Sequence, residues 1–307
     1  MSDSLPLRTI FMGTPALAVP ACRWLAENTD LTLVVTRPDK PVGRHRVMTA
    51  PPVKVLAQER GIPVWQPKTL RAITTEDLAK LQVDLIVVMA YGCMLPQSVL
   101  DAPRLGCVNL HASILPRHRG ASPLHGAIDA GDAQTGVAIM KMVEQLDAGP
   151  VFLQEILDLP ANATLSWLEE AIAPVSVRAL ERYCANPGIT PVTQDESLAT
   201  YCHKLSTEQG HLDLTHSAVA LDRRIRAYHP HPGTWLKVGE GRYHIPKAQV
   251  HPETLPLSPG ETKVERRRLF LGTGMGTLEV LEIQAPGKKA MPTSAFLNGH
   301  ACPPHFE

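Results

Sequence analysis

Short apolar runs alternate with amphipathic stretches through the first part of the chain. Arg8 to Met12 is β-branched and aromatic and stops at Gly13-Thr14-Pro15, as a strand ending in a turn would. Ala16 to Glu27 follows with apolar positions at helical spacing (Leu17, Pro20/Ala21, Trp24, Leu25), and Leu31 to Thr36 predicts a second strand. Val53 to Arg60 and Thr74 to Leu81 read as helices. Val64-Trp65, Asp84 to Met89, Cys107 to His111 and Val137 to Val143 read as strands, and Thr164 to Tyr183 as a long helix. Strands that are apolar almost throughout, with helices between them, predict a doubly wound, mostly parallel α/β sheet covered on both faces.

The pattern changes at Asn186-Pro187-Gly188. Little periodicity follows until a short helix at Ser217 to Ala227. Beyond it the chain is rich in Pro, Gly and β-formers. Trp235 to Val238, Arg268 to Gly272 and Thr277 to Ile283 predict strands of a small, OB-like β-barrel. The expected organisation is a catalytic domain at 1–188, a linker at 189–208 and a barrel at 209–307, with no internal repeats.

Composition sharpens this picture in three places. The 307 residues exceed what one core usually needs, in keeping with two domains. Net charge is zero, which excludes a globally basic RNA-coating protein, but the charge is unevenly spread: residues 1–209 carry 18 Lys+Arg and 21 Asp+Glu (−3), and residues 210–307 carry 12 and 9 (+3). The six cysteines form no C-x-x-C pair or zinc knuckle and several lie in apolar runs, so reduced thiols and a cytoplasmic protein are expected. Met1 to Ile10 lacks the apolar run of a signal peptide, and nowhere does an apolar stretch of membrane-spanning length occur, so no membrane association is expected.

The chemistry concentrates in Asn109-Leu110-His111-Ala112-Ser113-Ile114-Leu115-Pro116-Arg117-His118-Arg119-Gly120. Asn109 and His111 stand two apart at the end of an apolar strand and so leave the same face. In open parallel sheets ligands bind beyond the carboxyl ends of the strands. Asp147 lies in the turn after another apolar strand. Each has a plainer reading: an Asn and a His can cap a strand-end turn, and an Asp near a Gly is ordinarily a turn former. Together they make an acid/base group without a nucleophile, since there is no elbow serine, metal constellation or G-x-G-x-x-G after the first strand. Direct transfer of a carbonyl group between two amines suits such a trio. An amide and an imidazolium can hold the oxyanion, and a carboxylate can take the amine proton.

The spacing N-x-H-x-S-x-L-P-x-x-R-G followed by L-D-x-G resembles the formyltransferases that use 10-formyltetrahydrofolate. That resemblance implies a catalytic trio of Asn109, His111 and Asp147. It also implies a folate loop at Ser113, Ile114, Leu115 and Pro116, and a pterin slot along Met89, Ala90, Tyr91 and Gly92, with no metal. Phe11 to Pro15 and Thr36 to Arg44, closed by Pro52-Val53-Lys54, are similar to the methionyl-tRNA formyltransferases. So are Gln194 to Glu196 with Ala199 to Leu205, Arg226 to Pro230 and Pro286 to Met291. In that family the segment after the second strand is a basic loop that meets the acceptor end of tRNA. Here Arg37, Lys40, Arg44, Arg46 and Lys54 stand against Asp39 alone, a composition that suits phosphate contacts, although a cationic loop can also be merely solvated. His118, Gln145, Pro150 and His231 depart from the family pattern, and the tip His45-Arg46-Val47 is less lysine-rich; none of these is in the trio.

The resemblance implies transfer of a formyl group to the α-amino group of methionine on initiator tRNA, by a monomer with no DNA partner. Alternatives are a formyltransferase for an amino sugar or nucleotide, a formyltetrahydrofolate hydrolase, and an inactive folate- or RNA-binding relative.

Overall fold

The computed structural model describes residues 6–43, 46–69 and 75–307. The chain divides into two compact units. One comprises Met1–Pro123, Gln134–Asp158 and Glu169–Cys202; the other comprises Leu124–Ala133, Leu159–Leu168 and His203–Glu307.

The first unit is built on a seven-stranded sheet. Its strands are β1 (Arg8–Gly13), β2 (Asp30–Val35), β5 (Val64–Trp65), β6 (Leu85–Met89), β7 (Cys107–His111), β9 (Gln134–Lys141) and β10 (Val151–Asp158); apart from it, β3 (Lys40–Val42) and β4 (Val47–Thr49) pair as a hairpin, and β8 (Arg119–Gly120) pairs in parallel with β11 (Tyr201–Cys202). The order is β10-β9-β7-β6-β1-β2-β5, with β1, β2, β5, β6 and β7 parallel and β9 antiparallel to both of its neighbours, β7 and β10. Helices α1 (Val19–Asn28), α2 (Pro52–Glu59), α3 (Thr75–Lys80) and α4 (Gln97–Leu100) link the parallel strands; in chain order α5 (Pro123–Ala130) precedes β9 and α6 (Leu165–Ala185) follows β10. Every residue of β6 is buried, which is why it reads as an unbroken apolar run rather than an alternating one. The chain winds outward from β1 to β5 and then returns to β6 and β7, so the strand order reverses between β1 and β6. That switch point is where an open α/β sheet leaves a crevice beyond its carboxyl ends.

The predicted Val137–Val143 strand begins earlier, at Gln134, and runs antiparallel. β10 lies where the apolar pattern predicts no strand. As an edge strand it is mostly half-exposed, so it lacks the apolar run that marks its neighbours.

In the second unit, β12 (Trp235–Val238), β13 (Gly241–Val250), β14 (Thr262–Glu265), β15 (Arg268–Gly272), β16 (Thr277–Gln284) and β17 (Met291–Pro292) form an antiparallel sheet ordered β12-β13-β16-β15-β14, with β17 on β16. The sheet curls as a half-barrel, and register shifts between His244 and Ala248 interrupt β13's pairing. Its inner face packs with α7 (Ala218–Tyr228) and α8 (Thr293–Gly299) around Leu221, Ile225, Leu236, Leu271, Ile283 and Phe296. Ser217 caps α7 by accepting a hydrogen bond from the Ala220 amide at 3.2 Å.

Gly274 is a close approach in this unit. Its amide donates to the Leu214 carbonyl at 2.8 Å, and a Cβ there would fall 1.8 Å from the Thr215 carbonyl oxygen. Gly274→Ala is therefore expected to destabilise the protein by about 1–3 kcal/mol or more, the usual scale of overpacking. A denaturant melt with an unchanged midpoint would contradict this. Among the described residues no helix is long and apolar enough to cross a membrane.

Candidate active site

Alternation along β7 puts Asn109 and His111 on one face, and the neighbouring strands fix both: Asn109 pairs with Val88 of β6 and Met140 of β9, and His111 with Ala138. His111 is 5% exposed. Its Nε2 lies 2.9 Å from the His118 carbonyl oxygen, which can only accept, so Nε2 carries a proton. Nδ1 then faces Asp147, 3.7 Å from Oδ2. The same Oδ2 accepts the Gly120 amide at 2.7 Å. Nδ1 and the Asp147 carboxylate thus face each other, and the two groups together offer a place for one proton. Asn109 is half-buried, and its side-chain amide has no protein hydrogen-bond partner among the described residues.

Asp147 reaches His111 by an indirect route. Because β9 is antiparallel, its end lies level with Val108, toward the start of β7, and Met142 bonds to the Cys107 carbonyl. The following turn must double back along β7. It does so with Asp147 at φ +48, a left-handed conformation uncommon outside glycine, and with Gly149 so close to β9 that a Cβ would sit 1.8 Å from the Lys141 carbonyl oxygen.

The loop after β7 is tightly held. Ser113 is fully buried: its amide donates to the His111 carbonyl at 2.9 Å and its hydroxyl to the Arg117 carbonyl at 2.6 Å. Leu115 is buried, with its carbonyl accepting from Gln154 at 2.7 Å. Ile114 and Pro116 are half-buried and remain available to a ligand. At the end of β6, Met89 and Tyr91 turn into the core, and burial pushes the Tyr91 hydroxyl up to about 12. Ala90 and Gly92, both at positive φ, are the exposed pair there. The expected pterin slot therefore offers two small residues and backbone.

The four described cations of the basic segment do not act as a group. Lys54 is paired with Asp39 at 2.8 Å; the hydrogen bond from Gln66, and then that from Lys54, hold the Asp39 carboxyl below its usual range. The half-buried Arg37 turns its guanidinium to Cys93, 2.5 Å from Sγ. Lys40 and Arg46 are exposed on the β3–β4 hairpin, and Arg44 lies outside the described residues. The hairpin also exposes Val42, Val47 and Met48, an apolar contribution that a reading by charge alone missed. Among the described residues no cluster of three His, Cys, Asp or Glu could hold a metal ion.

Comparison with known proteins bears directly on this arrangement. Residues 13–183 match the formyl transferase domain and residues 204–301 the formyl transferase C-terminal domain. The methionyl-tRNA formyltransferase of Marinobacter nauticus is 41% identical over 301 residues, covering 95% of this chain and 96% of the relative. That of Akkermansia muciniphila is 40% identical over 314 residues, covering 96% and 97%. The chain belongs to the methionyl-tRNA formyltransferase family.

The solved methionyl-tRNA formyltransferase of Clostridium thermocellum shares the fold at a TM-score of 0.56 and 18% identity, over 80% of this chain and 94% of that one. Within the methionyl-tRNA formyltransferase fold, the residues beyond the trio that sequence reasoning missed are Arg119 and Gln194. They lie 75 positions apart; Gln194 bonds the Asp147 turn, and Arg119 bonds Gln194. Arg119 belongs to the N-x-H-x-S-x-L-P-x-x-R-G spacing and Gln194 to the segment Gln194 to Glu196, but nothing in either segment signals that they meet.

Proposed function

We propose that this enzyme transfers the formyl group of 10-formyltetrahydrofolate to the α-amino group of methionyl initiator tRNA. The observation that carries the proposal is the pairing of His111 with Asp147, next on the strand face to an Asn109 amide that has no partner among the described residues. The amine lone pair attacks the formyl carbon. Asn109 donates to the oxygen as it gains charge. Asp147 accepts the proton that the amine loses, and His111 Nδ1 faces the same carboxylate oxygen. The bond from the formyl carbon to N10 of the folate then breaks, N10 takes a proton, and the product is formylmethionyl-tRNA. Ile114, Pro116, Ala90 and Gly92 would line the folate side.

On this reading residues 1–188 carry catalysis, 189–208 the connection and 209–307 further tRNA contacts, in a cytoplasmic monomer. The deciding experiment supplies the folate donor with charged initiator and elongator methionine tRNAs, with water alone, and with amino-sugar nucleotides. Formylmethionine on the initiator tRNA is expected. Formate release without acceptor, or formylation of the sugar alone, would displace the proposal.

Lys40, Arg44 and Arg46 would meet tRNA phosphates. Changing all three to Ala is expected to raise KM for the tRNA while leaving KM for the folate within about twofold, and to flatten the salt dependence of tRNA binding. A fall in folate affinity instead would mean that the hairpin serves the small substrate.

A further inference from the structure

The Asp147 turn is gripped from outside the trio by a buried polar pair. Gln194 is 8% exposed. Its Nε2 donates to the carbonyl oxygens of Asp147, at 2.8 Å, and of Gly149, at 2.7 Å. Its Oε1 accepts from Arg119 Nε at 3.0 Å and Nη2 at 2.9 Å. A carboxamide has two N–H donors and one oxygen with two lone pairs, so the whole capacity of this side chain is committed. The Arg119 side chain has no exposure at all. Its far edge meets both oxygens of Glu196, at 2.8 and 2.9 Å, and the Tyr201 hydroxyl at 3.2 Å. The residue after Arg119 is Gly120, whose amide binds Asp147 Oδ2. Asp147 is thus held at its carbonyl by Gln194 and at its carboxylate by the chain beside Arg119.

We propose that Gln194, oriented by Arg119, is the positioning residue that keeps the Asp147 carboxylate against His111. Two features favour this over a purely structural role. First, Asp147 sits at positive φ without being glycine, a conformation that persists only where the surroundings over-determine it. Gln194 spans that strained residue by bonding the carbonyls at 147 and 149. Second, burying a guanidinium against a neutral carboxamide is a poor way to gain stability compared with apolar side chains of the same size, because the charge must be taken out of water. The pair's distinguishing property is direction, and the direction here is set on the turn that carries the carboxylate. The inference rests on the reading of Asp147 as the base.

The test is Gln194→Glu. A glutamate keeps an acceptor for Arg119, with the charge of the right sign, but has no N–H for the two carbonyls. Expected results are a cooperatively folded protein with a lowered melting temperature, since two carbonyls lose their donor, a kcat per folded molecule lowered about 10- to 100-fold, KM for folate and for tRNA within about twofold, and a displaced pH–rate profile. Wild-type kcat in the folded variant, or a kcat loss no larger than the loss of folded protein, would overturn the proposal. Should Gln194→Glu not fold, Arg119→Lys decides. That variant keeps the buried cation for Glu196 but loses the two-pronged grip on Gln194; a selective kcat loss supports positioning and unaltered turnover overturns it. Asp147→Asn, measured in parallel, separates the two claims. Full turnover there defeats the reading of Asp147 as base. An inactive Asp147→Asn beside a fully active Gln194→Glu defeats positioning alone.

Discussion

Asp147→Asn is expected to lower kcat by about 10²- to 10⁴-fold, the range that a positioned general base contributes. The substitution isolates the proton-accepting role. Asparagine is the same size and keeps a side-chain oxygen that can receive the Gly120 amide, now bonded at 2.7 Å, while the Gln194 bonds go to main-chain carbonyls that do not change. What disappears is the charge facing His111 Nδ1 across 3.7 Å. The atom nearest Nδ1 is the same one that takes the Gly120 amide, so the carboxamide oxygen would occupy it, leaving an uncharged group opposite the imidazole that cannot take up the amine's proton. Neither KM is expected to move more than a few-fold, because the folate side of the crevice is lined by other residues. Single-turnover formylation with charged initiator tRNA measures the chemical step directly, and a rate within tenfold of the natural protein's would remove Asp147 from the mechanism.

Much of the sheet was legible because its logic is local. A fully buried strand such as Leu85–Met89 announces itself as an apolar run between breakers, and Asn109 and His111 stand out because polar groups at the end of such a strand have no core to join. The half-exposed β10 gives no run, and β13 contains Pro246, which counts against a strand. That proline falls inside the register shift between His244 and Lys247, where the ladder is already interrupted. The β3–β4 hairpin has strands of three residues, all exposed, so periodicity had nothing to detect. The site was legible in its residue types and not in its geometry. The expectation that Asp147 joins the others at one edge presumed a strand ending beside β7's own end, whereas β9 is antiparallel and a strained turn brings the carboxylate back. The meeting of Arg119 with Gln194 depends on tertiary placement across 75 positions, which no local pattern encodes.

Asn109→Ala carries the second large effect, an expected loss of about 10²- to 10³-fold in kcat, the usual consequence of deleting one oxyanion donor. The strand makes this a clean deletion. Asn109 lies inside β7 with β6 paired on one side and β9 on the other, so the backbone stays in place when the side chain is shortened. The amide bonds nothing else in the described protein, so its removal orphans no partner and stability should be nearly unaffected. His111 stays tied to the His118 carbonyl and Asp147 to the Gly120 amide, so the acid/base pair survives. The loss should therefore appear in kcat, with substrate binding and the pH profile retained, which separates it from Asp147→Asn and from Gln194→Glu. Asn109→Asp sharpens the comparison: it preserves volume but replaces the donor with a charge that repels the developing oxyanion, so its activity should fall below that of the alanine variant. Undiminished turnover in Asn109→Ala would mean that the oxygen is held elsewhere, and the single-turnover rate at saturating folate is the measurement that decides it.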